Sequence, residues 1–287
     1  MQLLESDIRT REVLSWAGVH VFHAHFSSCS QKLRMYLNCK RIEWISHPID
    51  LGKTENLSPF YLGINPRGLV PCLVHDGTVH IESNDIILHL ERAFPQPRLI
   101  PEGSETRIQE LLQHEDELHL DMRTVTFRFL MPPAPRARMS SEALTRYANT
   151  GSGTVQGKKD PQIAREISFW EAFETTGISA EAARQSVQRL KSAFADINRT
   201  LEKSPYIHGG ALSVVDIAWF VYVHRLRISG YPLERLHASL NEWYLRLSQM
   251  PEITRELAPP EELDRAIKIR RSALSASGQT LELVCGL

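Results

Sequence analysis

Asn65-Pro66-Arg67-Gly68-Leu69-Val70-Pro71-Cys72-Leu73-Val74-His75-Asp76-Gly77-Thr78-Val79-His80-Ile81-Glu82-Ser83 is the most informative segment of the chain. Its Asp76-Gly77 pair lies between two short apolar runs, which predicts a two-residue hairpin joining two antiparallel strands. Pro71 opens the first strand, a position that tolerates the missing amide hydrogen and where a cis bond would turn the Val70 backbone outward. The segment therefore predicts a proline-entered hairpin.

A helix is predicted directly after the second strand. Its apolar residues recur at helical spacing: Ile86, Ile87, Leu90 and Phe94. Ser83 is the predicted N-cap, because serine accepts hydrogen bonds from the first free amide groups of a helix. Free amide groups at a helix N-terminus also suit a carboxylate ligand. Hairpin and helix together indicate a binding site built largely from backbone groups.

The preceding residues predict the rest of an α/β domain. A strand at 19–22 leads into the polar turn Ser27-Ser28-Cys29-Ser30, and a buried helix follows over Gln31 to Lys40. A second strand is predicted from Glu43 to Ile49. The order is strand, helix, strand, connector, hairpin, helix.

These motifs resemble the N-terminal, thioredoxin-like domain of the cytosolic glutathione S-transferases. Val70-Pro71 is similar to the Val-Pro strand entry of that family, and Glu82-Ser83 is similar to its acidic-or-Gln-then-Ser helix start. The segment from Ser27 to Arg34 is similar to the zeta class and its bacterial relatives, which include reductive dehalogenases and β-etherases. The resemblance implies an α/β thioredoxin-like domain followed by an all-α helical-bundle domain.

The expected domain organisation has four parts. They are an N-terminal extension at 1–18, a thioredoxin-like glutathione-binding domain at 19–97, an all-helical domain at 105–258 and a C-terminal extension at 259–287. Pro132-Pro133-Ala134-Pro135 and Gly151-Ser152-Gly153 predict an extended inserted loop at about 131–160, with at most a short helix. No further hairpin is expected after residue 97.

One helix start is sharply defined in the second half of the chain. Ser213 is expected to cap it, Asp216 three residues on completes a short capping box, and Leu212 packs against Ile217. This pattern resembles the capping motif within the helical domain of the same family. Its expected role is structural.

Composition excludes several functional classes. The chain has 287 residues, 42% of them hydrophobic and 23% charged, with a formal net charge of -1. A charge near zero gives no field that favours nucleic acid or an anionic membrane. The apolar run Ile217 to Val223 is too short to span a bilayer. Acidic residues near Met1 disfavour a secretory signal, so a cytoplasmic location is expected.

The four cysteines predict neither a disulfide framework nor a metal site. Cys29, Cys39, Cys72 and Cys285 form no pairs with metal-ligand spacing. Cys39 and Cys72 are expected to be small core residues, and Cys285 an exposed thiol. Cys29 differs because it lies in the polar turn.

Three residues at this turn are catalytic candidates by resemblance. A glutathione transferase must hold the glutathione sulfur as a thiolate, which a hydroxyl donor at a helix N-terminus stabilises. Ser27 matches the thiolate-stabilising position, although it could merely cap the helix. Cys29 matches the cysteine that forms a mixed disulfide with glutathione in the dehalogenases, and Ser30 lies near the functional serine of β-etherases.

The resemblance also implies a glutathione-binding set: Lys53, Asn56, Val70, Pro71, Glu82 and Ser83. The Val70 backbone is expected to pair with the cysteinyl part of glutathione. Glu82 and Ser83 are expected to receive its ammonium and its γ-glutamyl carboxylate. Lys53 and Asn56 could reach the glycyl carboxylate, or Lys53 could simply be solvated.

The predicted function is that of a glutathione transferase with glutathione as co-substrate and a small aromatic electrophile as partner. Aryl ether cleavage, dehalogenation and isomerisation through a glutathione adduct stay open, as does a homodimer against a heterodimer with a related chain. The electrophile pocket has five candidate lining residues, each of which could equally be core: Met122, Phe127, Phe129, Trp170 and Phe173. The alternatives are a non-catalytic binding or assembly module of the same fold and a Cys29-dependent glutathione thiol reductase.

Overall fold

The computed structural model describes residues 1–131 and 141–287. They form two compact units. The first contains Met1–Leu33, Arg41–Ala93 and residues 141–177, and the second contains Arg34–Lys40, residues 94–131 and Ile178–Leu287.

The first unit is built on a four-stranded mixed sheet. Its strands are β1 (Val19–His23), β2 (Ile45–Pro48), β3 (Cys72–His75) and β4 (Thr78–Ile81), in the order β2-β1-β3-β4. Strand β1 is parallel to β2 and antiparallel to β3, and β3 is antiparallel to β4. His75 pairs with Thr78, and Asp76 and Gly77 have φ angles of 46° and 74°. Two positive φ angles are what a type I′ hairpin turn requires, so the predicted hairpin is confirmed.

The described helices are named in chain order. They are α1 (Ser28–Lys40), α2 (Pro59–Leu62), α3 (Ser83–Ala93), α4 (Glu105–Glu117), α5 (His119–Val125), α6 (Ser141–Asn149), α7 (Gln162–Thr176), α8 (Ala180–Leu201), α9 (Val214–Ile228), α10 (Leu233–Leu236), α11 (Ala238–Leu247), α12 (Pro251–Thr254), α13 (Glu261–Ala276) and α14 (Leu281–Cys285). A π-helical turn, Thr126–Leu130, follows α5.

The inserted segment differs from the prediction of an extended loop. Residues 141–177 fold as α6, a two-stranded hairpin of β5 (Thr154–Val155) and β6 (Lys158–Lys159), and α7. The hairpin also shows that the expectation of none after residue 97 was wrong. Leu144 and Tyr147, three residues apart on α6, pack against Leu57 and Leu62 in one buried cluster. This burial orders the segment, and the rest of the predicted loop, 132–140, lies outside the described residues.

The N-terminal residues belong to the core of the first unit. Leu3, Ile8 and Val13 are buried with side chains of the sheet. The backbone of Leu3 donates to Val79 O at 2.8 Å, which extends the pairing at the outer edge of β4. Residues 1–18, predicted as an extension, therefore add to the sheet and its hydrophobic core.

A fully buried carboxylate fixes the inserted hairpin to this N-terminal segment. Asp7 accepts hydrogen bonds from Thr154 Oγ1 at 2.8 Å, Gln156 N at 2.8 Å and Gly157 N at 3.1 Å. These three donors, with Leu4 N at 3.2 Å, satisfy the buried carboxylate, whose burial would otherwise be costly. Asp7 thus serves as the anchor of the β5–β6 turn.

In the second unit, the predicted helix start at Ser213 is confirmed. Asp216 is fully buried at the beginning of α9 and accepts from Ser213 N at 3.0 Å and Ser213 Oγ at 2.8 Å. Ile207 N and Trp243 Nε1 donate to its other oxygen at 2.9 and 3.0 Å. Burial raises the pKa of Asp216 in spite of these donors. The carboxylate therefore ties three parts of the unit together.

Candidate functional site

The start of α1 carries the first candidate residue. The helix begins at Ser28, three residues before the predicted start, because serines are favourable at helix N-termini. Ser27, half-buried, accepts from Ser30 N at 3.3 Å and donates from its Oγ to Val70 O at 3.4 Å. A serine hydroxyl therefore lies at the positive end of a helix dipole and against the Val70 backbone.

The other two catalytic candidates occupy different surroundings. Ser30 is fully buried, and its Oγ accepts from Ala24 N at 3.3 Å, so this hydroxyl holds the turn between β1 and α1. Cys29 is half-buried on the first turn of α1. Of the three candidates, Ser27 is the one whose hydroxyl meets Val70.

The loop before β3 presents its backbone in a fixed conformation. The Val70-Pro71 peptide bond is cis. Leu69 O accepts hydrogen bonds from Tyr61 Oη at 2.6 Å and from Asn65 Nδ2 at 2.7 Å. These two side chains hold the chain on the N-terminal side of Val70.

The two residues predicted for the glycyl carboxylate make contacts within the protein. Asn56 Nδ2 donates to Gly68 O at 2.8 Å, so its amide supports the same loop. Lys53 Nζ lies 3.4 Å from Asp50 Oδ2, and its side chain is 76% exposed. Lys53 is therefore a surface residue of the connector, whereas Asn56 is part of the loop's scaffold.

Glu82 and Ser83 lie at the start of α3. The helix begins at Ser83, so Glu82 occupies the N-cap position, one residue before the predicted cap. Glu82 has a φ angle of 65°, in the left-handed region that non-glycine residues rarely adopt. Ser83 is buried and Glu82 half-buried. The structure thus places an acidic side chain and a serine hydroxyl together at a helix N-terminus.

Arg67 joins this helix start to the inserted segment, which the sequence did not predict. Its Nη1 donates to Glu82 Oε1 at 2.5 Å, and its Nε and Nη2 donate to Asp160 Oδ2 and Oδ1 at 2.5 and 3.1 Å. Burial acts to lower the pKa of Arg67, but its contacts with Asp160 and Glu82 outweigh that effect and raise it. The Asp160-Pro161 pair before α7 is a helix-start signal that could have revealed this acid.

Two cysteines away from the turn are unsuited to nucleophilic chemistry. Burial raises the pKa of Cys39 to about 12, and it also raises the pKa of Cys72. A thiol of that kind is protonated near neutral pH and reacts poorly. Cys285 is half-buried, not exposed as predicted, and burial raises its pKa as well.

The predicted electrophile-pocket residues fall into two groups. Met122 and Phe129 are buried in the second unit, which favours the core alternative for both. Trp170 and Phe173 lie half-buried on α7 in the first unit, each in ring contact with Phe169. Phe127 is half-buried as well, so Phe127, Trp170 and Phe173 are more accessible than Met122 and Phe129.

In the described part of the chain, no group of three or more His, Cys, Asp and Glu side chains is arranged to hold a metal ion. Among the same residues, no helix has both the length and the apolar character needed to cross a membrane.

Two family models match the chain. The model described as glutathione S-transferase, N-terminal domain, matches residues 26–93, and the one described as glutathione S-transferase, C-terminal domain, matches residues 180–246. The first match contains Ser27, Val70, Glu82 and Arg67. Neither match includes Asp160.

Similar curated proteins fall into two groups by coverage. Glutathione S-transferase 1 of Dianthus caryophyllus is 36% identical over 89 residues, which are 31% of this chain and 40% of that protein. Maleylpyruvate isomerase of a Ralstonia species is 37% identical over 28% of this chain and 38% of its own length. The chain thus spans about two fifths of these relatives. Protein LigF of Sphingobium sp. (strain NBRC 103272 / SYK-6) is 25% identical over 75% of this chain and 83% of that protein.

The similar solved structures show the same fold over most of the chain. The structure of beta-etherase LigF from Sphingobium sp. strain SYK-6 has a TM-score of 0.69 at 23% identity, covering 83% of this chain and 98% of that one. A glutathione S-transferase-I structure with bound lactoylglutathione has a TM-score of 0.61 at 17% identity, covering 84% and 99%. At these identities the likeness concerns the fold.

Proposed function

Since the chain belongs to the glutathione S-transferase family, we propose that it activates glutathione as a thiolate for attack on a small aromatic electrophile. The observation that carries the proposal is the contact of Ser27 Oγ with Val70 O at 3.4 Å, at the N-terminus of α1. This contact joins a hydroxyl donor to the backbone that would align the cysteinyl part of glutathione.

The proposed chemistry uses the residues already described. The cysteinyl backbone of glutathione pairs with Val70, which brings the sulfur close to Ser27 Oγ. The hydroxyl then turns from the Val70 carbonyl to the sulfur and stabilises the thiolate, and the positive end of the α1 dipole adds to this effect. Glu82 accepts the α-ammonium of the γ-glutamyl part, and Ser83 with the first amide groups of α3 binds its carboxylate.

For the electrophile, we place aryl ether cleavage first. Similarity to a protein described as a beta-etherase extends over three quarters of the chain. In this reaction the glutathione thiolate attacks a carbon of the ether. A carbon–sulfur bond forms as the ether carbon–oxygen bond breaks, and the leaving oxygen takes up a proton. Dehalogenation and isomerisation through a glutathione adduct remain the other reactions to assay, the second because of the isomerase relatives.

The test is a titration of the purified protein with reduced glutathione. Calorimetry measures binding, and the ultraviolet absorbance of the thiolate, followed against pH, measures the pKa of the bound thiol. Binding with a thiol pKa below that of free glutathione supports the proposal. Absence of binding at millimolar glutathione would favour the non-catalytic module of the same fold.

A second candidate is a glutathione thiol reductase that uses Cys29. Its support is the position of Cys29 on the first turn of α1, where a helix dipole lowers a thiol pKa. This function predicts that Cys29→Ala abolishes turnover of glutathione mixed disulfides while Ser27→Ala retains it. The transferase proposal predicts the reverse order for aryl ethers.

Assembly and location stay predictions. A dimer, either with a second copy of this chain or with a related chain, can be tested by sedimentation of the purified protein. A cytoplasmic location is tested by fractionation of the source cells.

A further inference from the structure

An ion-pair chain connects the inserted segment to the proposed γ-glutamyl site within the first unit. Asp160 is 5% exposed and holds Arg67 through two hydrogen bonds from the same guanidinium face. Such a bidentate pair fixes both the position and the orientation of the guanidinium. Arg67, itself 16% exposed, then donates from its remaining nitrogen, Nη1, to Glu82.

The contact with Arg67 leaves Glu82 suited to bind a ligand. Arg67 donates to Oε1, and a carboxylate has a second oxygen with further acceptor capacity. The Glu82 side chain is 39% exposed, so a ligand can reach it. The backbone φ of 65° at Glu82 is unfavourable for glutamate, which suggests that its neighbours determine this conformation.

Asp160 in turn belongs to the inserted segment, residues 141–177, which makes its own contacts with the rest of the first unit. Tyr147 Oη donates to Arg67 O at 2.5 Å, and Asp160 N donates to Gly153 O at 3.3 Å. The hairpin that carries Asp160 is anchored by the buried Asp7. Beyond Asp160, Ile163 and Ile167 of α7 pack against the cluster that contains Leu57 and Leu62. The segment is therefore held to the rest of the first unit on both sides of Asp160, which allows Asp160 to determine the position of Arg67.

We propose that Asp160 and Arg67 are positioning residues that hold the Glu82 carboxylate where it accepts the α-ammonium of glutathione, so that the inserted segment sets affinity for γ-glutamyl ligands. The inference rests on the proposed function. It adds to that function an acid at position 160, outside both family models, and a side chain at position 67 for which the sequence indicated no role.

The test compares two ligands by calorimetry. One is glutathione, and the other is glutaryl-cysteinylglycine, which keeps both carboxylates and the thiol but lacks the α-ammonium. Asp160→Asn is expected to weaken glutathione binding about tenfold, the effect of losing one charge-assisted hydrogen bond. It should change the affinity for the deaminated ligand by less than about twofold, because that ligand has no ammonium for Glu82 to accept. In turnover assays the KM for glutathione should rise while kcat is retained.

Two further variants keep the test decisive. Arg67→Lys retains the positive charge but loses the paired nitrogens that bind Asp160. It should weaken glutathione binding selectively, as Asp160→Asn does, but by a smaller factor. Glu5→Gln, in the exposed pair with Arg11, removes a carboxylate from the same unit and should change neither affinity. If Asp160→Asn does not fold, the affinities of Arg67→Lys for the two ligands provide the test.

Three outcomes count against the inference. Equal losses for both ligands would show that Asp160 has a general structural role, and unchanged or tighter glutathione binding would show that Arg67 does not assist Glu82. Either result leaves the proposed function standing, provided the unaltered protein binds glutathione. If the unaltered protein binds neither ligand, the proposed function and the inference both fail.

Discussion

Two segments of the first unit have the same plan, yet one was predicted and the other was not. Residues 65–83 form a hairpin with the turn Asp76-Gly77, and an acidic residue, Glu82, stands at the start of the next helix. Residues 141–177 contain a hairpin with the turn Gln156-Gly157, and Asp160 precedes the next helix. The two acids meet on one guanidinium, that of Arg67.

The difference lies in where each hairpin finds its stabilising contacts. Strands β3 and β4 contain buried apolar residues whose pattern is visible within a few positions, such as Val74 and Val79. Strands β5 and β6 have two residues each, and both lysines of β6 are exposed. The second hairpin is instead held by Asp7, which lies about 150 positions earlier in the chain. Similar local geometry can therefore have local or remote causes.

The largest effect is expected at Ser27, whose hydroxyl contacts Val70 in the locally determined segment. Ser27→Ala should lower kcat/KM for the ether substrate about a hundredfold, as the loss of one well-placed donor to a developing anion does elsewhere. Cys29→Ala should lower it less than about threefold, because that thiol is not the proposed donor. Steady-state kinetics with both variants measures the difference. A reversed order would move the chemistry to Cys29.

The features that the sequence predicts are those with local causes, and the features that it does not predict have remote ones. The four strands, the Asp76-Gly77 turn and the Ser213 helix start were predicted, because their signals lie within a few residues of each other. Helix α1 begins three residues before the predicted start, because serines such as Ser28 and Ser30 are typical of turns as well as of helix N-termini. The glutathione-binding assignments stay predictions. Arg67 and Asp160 were missed because their pairing joins positions 93 apart, a distance over which no periodicity applies.

A second variant pair tests how firmly the inserted segment is held. Gly151 has a φ of 78°, and a Cβ there would lie 2.8 Å from Leu62 O, whereas Gly153 has a φ of 68° with open space around it. Gly151→Ala should lower the free energy of unfolding by about 3 kcal/mol, combining backbone strain with a close contact. Gly153→Ala should cost only about 1 kcal/mol, from the backbone alone.

Chemical denaturation of both glycine variants measures these free energies. Equal losses in the free energy of unfolding would show that the backbone adjusts freely at Leu62. The inserted segment would then not be held by remote contacts, in contrast to what we infer here. Glutathione binding by Gly151→Ala provides a further check, since loosening the segment should also weaken it.

The third prediction concerns the pKa of His80 on β4, which depends on the surroundings of residues 65–83 and not on their local sequence. Burial, together with the neighbouring charges of His89, the N-terminal ammonium, His75 and Arg92, lowers the pKa of His80 to about 3. The unfolded chain has an ordinary histidine pKa near 6.5, so below that pH the unfolded state takes up a proton that the native state does not. His80 should therefore reduce the free energy of unfolding by up to about 1.4 kcal/mol for each pH unit below about 6.5, with the full stability present above it.

The measurement is the free energy of unfolding between neutral and mildly acidic pH. His80→Gln should flatten the decline toward acid, because glutamine takes up no proton in either state. Parallel curves for His80→Gln and the unaltered protein would mean that His80 is protonated in the folded state. The burial of β4 would then not lower the pKa of His80.

The smallest effect is expected in the connector between β2 and the loop that precedes β3. Lys53 is exposed and lies beside Asp50, and an exposed cation gains little from pairing with a carboxylate. Lys53→Gln should therefore change the KM for glutathione by less than about twofold and leave kcat unaltered. Asp50→Asn, which removes the competing acid, is the control and should tighten binding slightly if Lys53 reaches the ligand. A tenfold rise in KM for Lys53→Gln would show that glutathione orders the connector on binding, and the connector would then belong to the site as fully as residues 65–83.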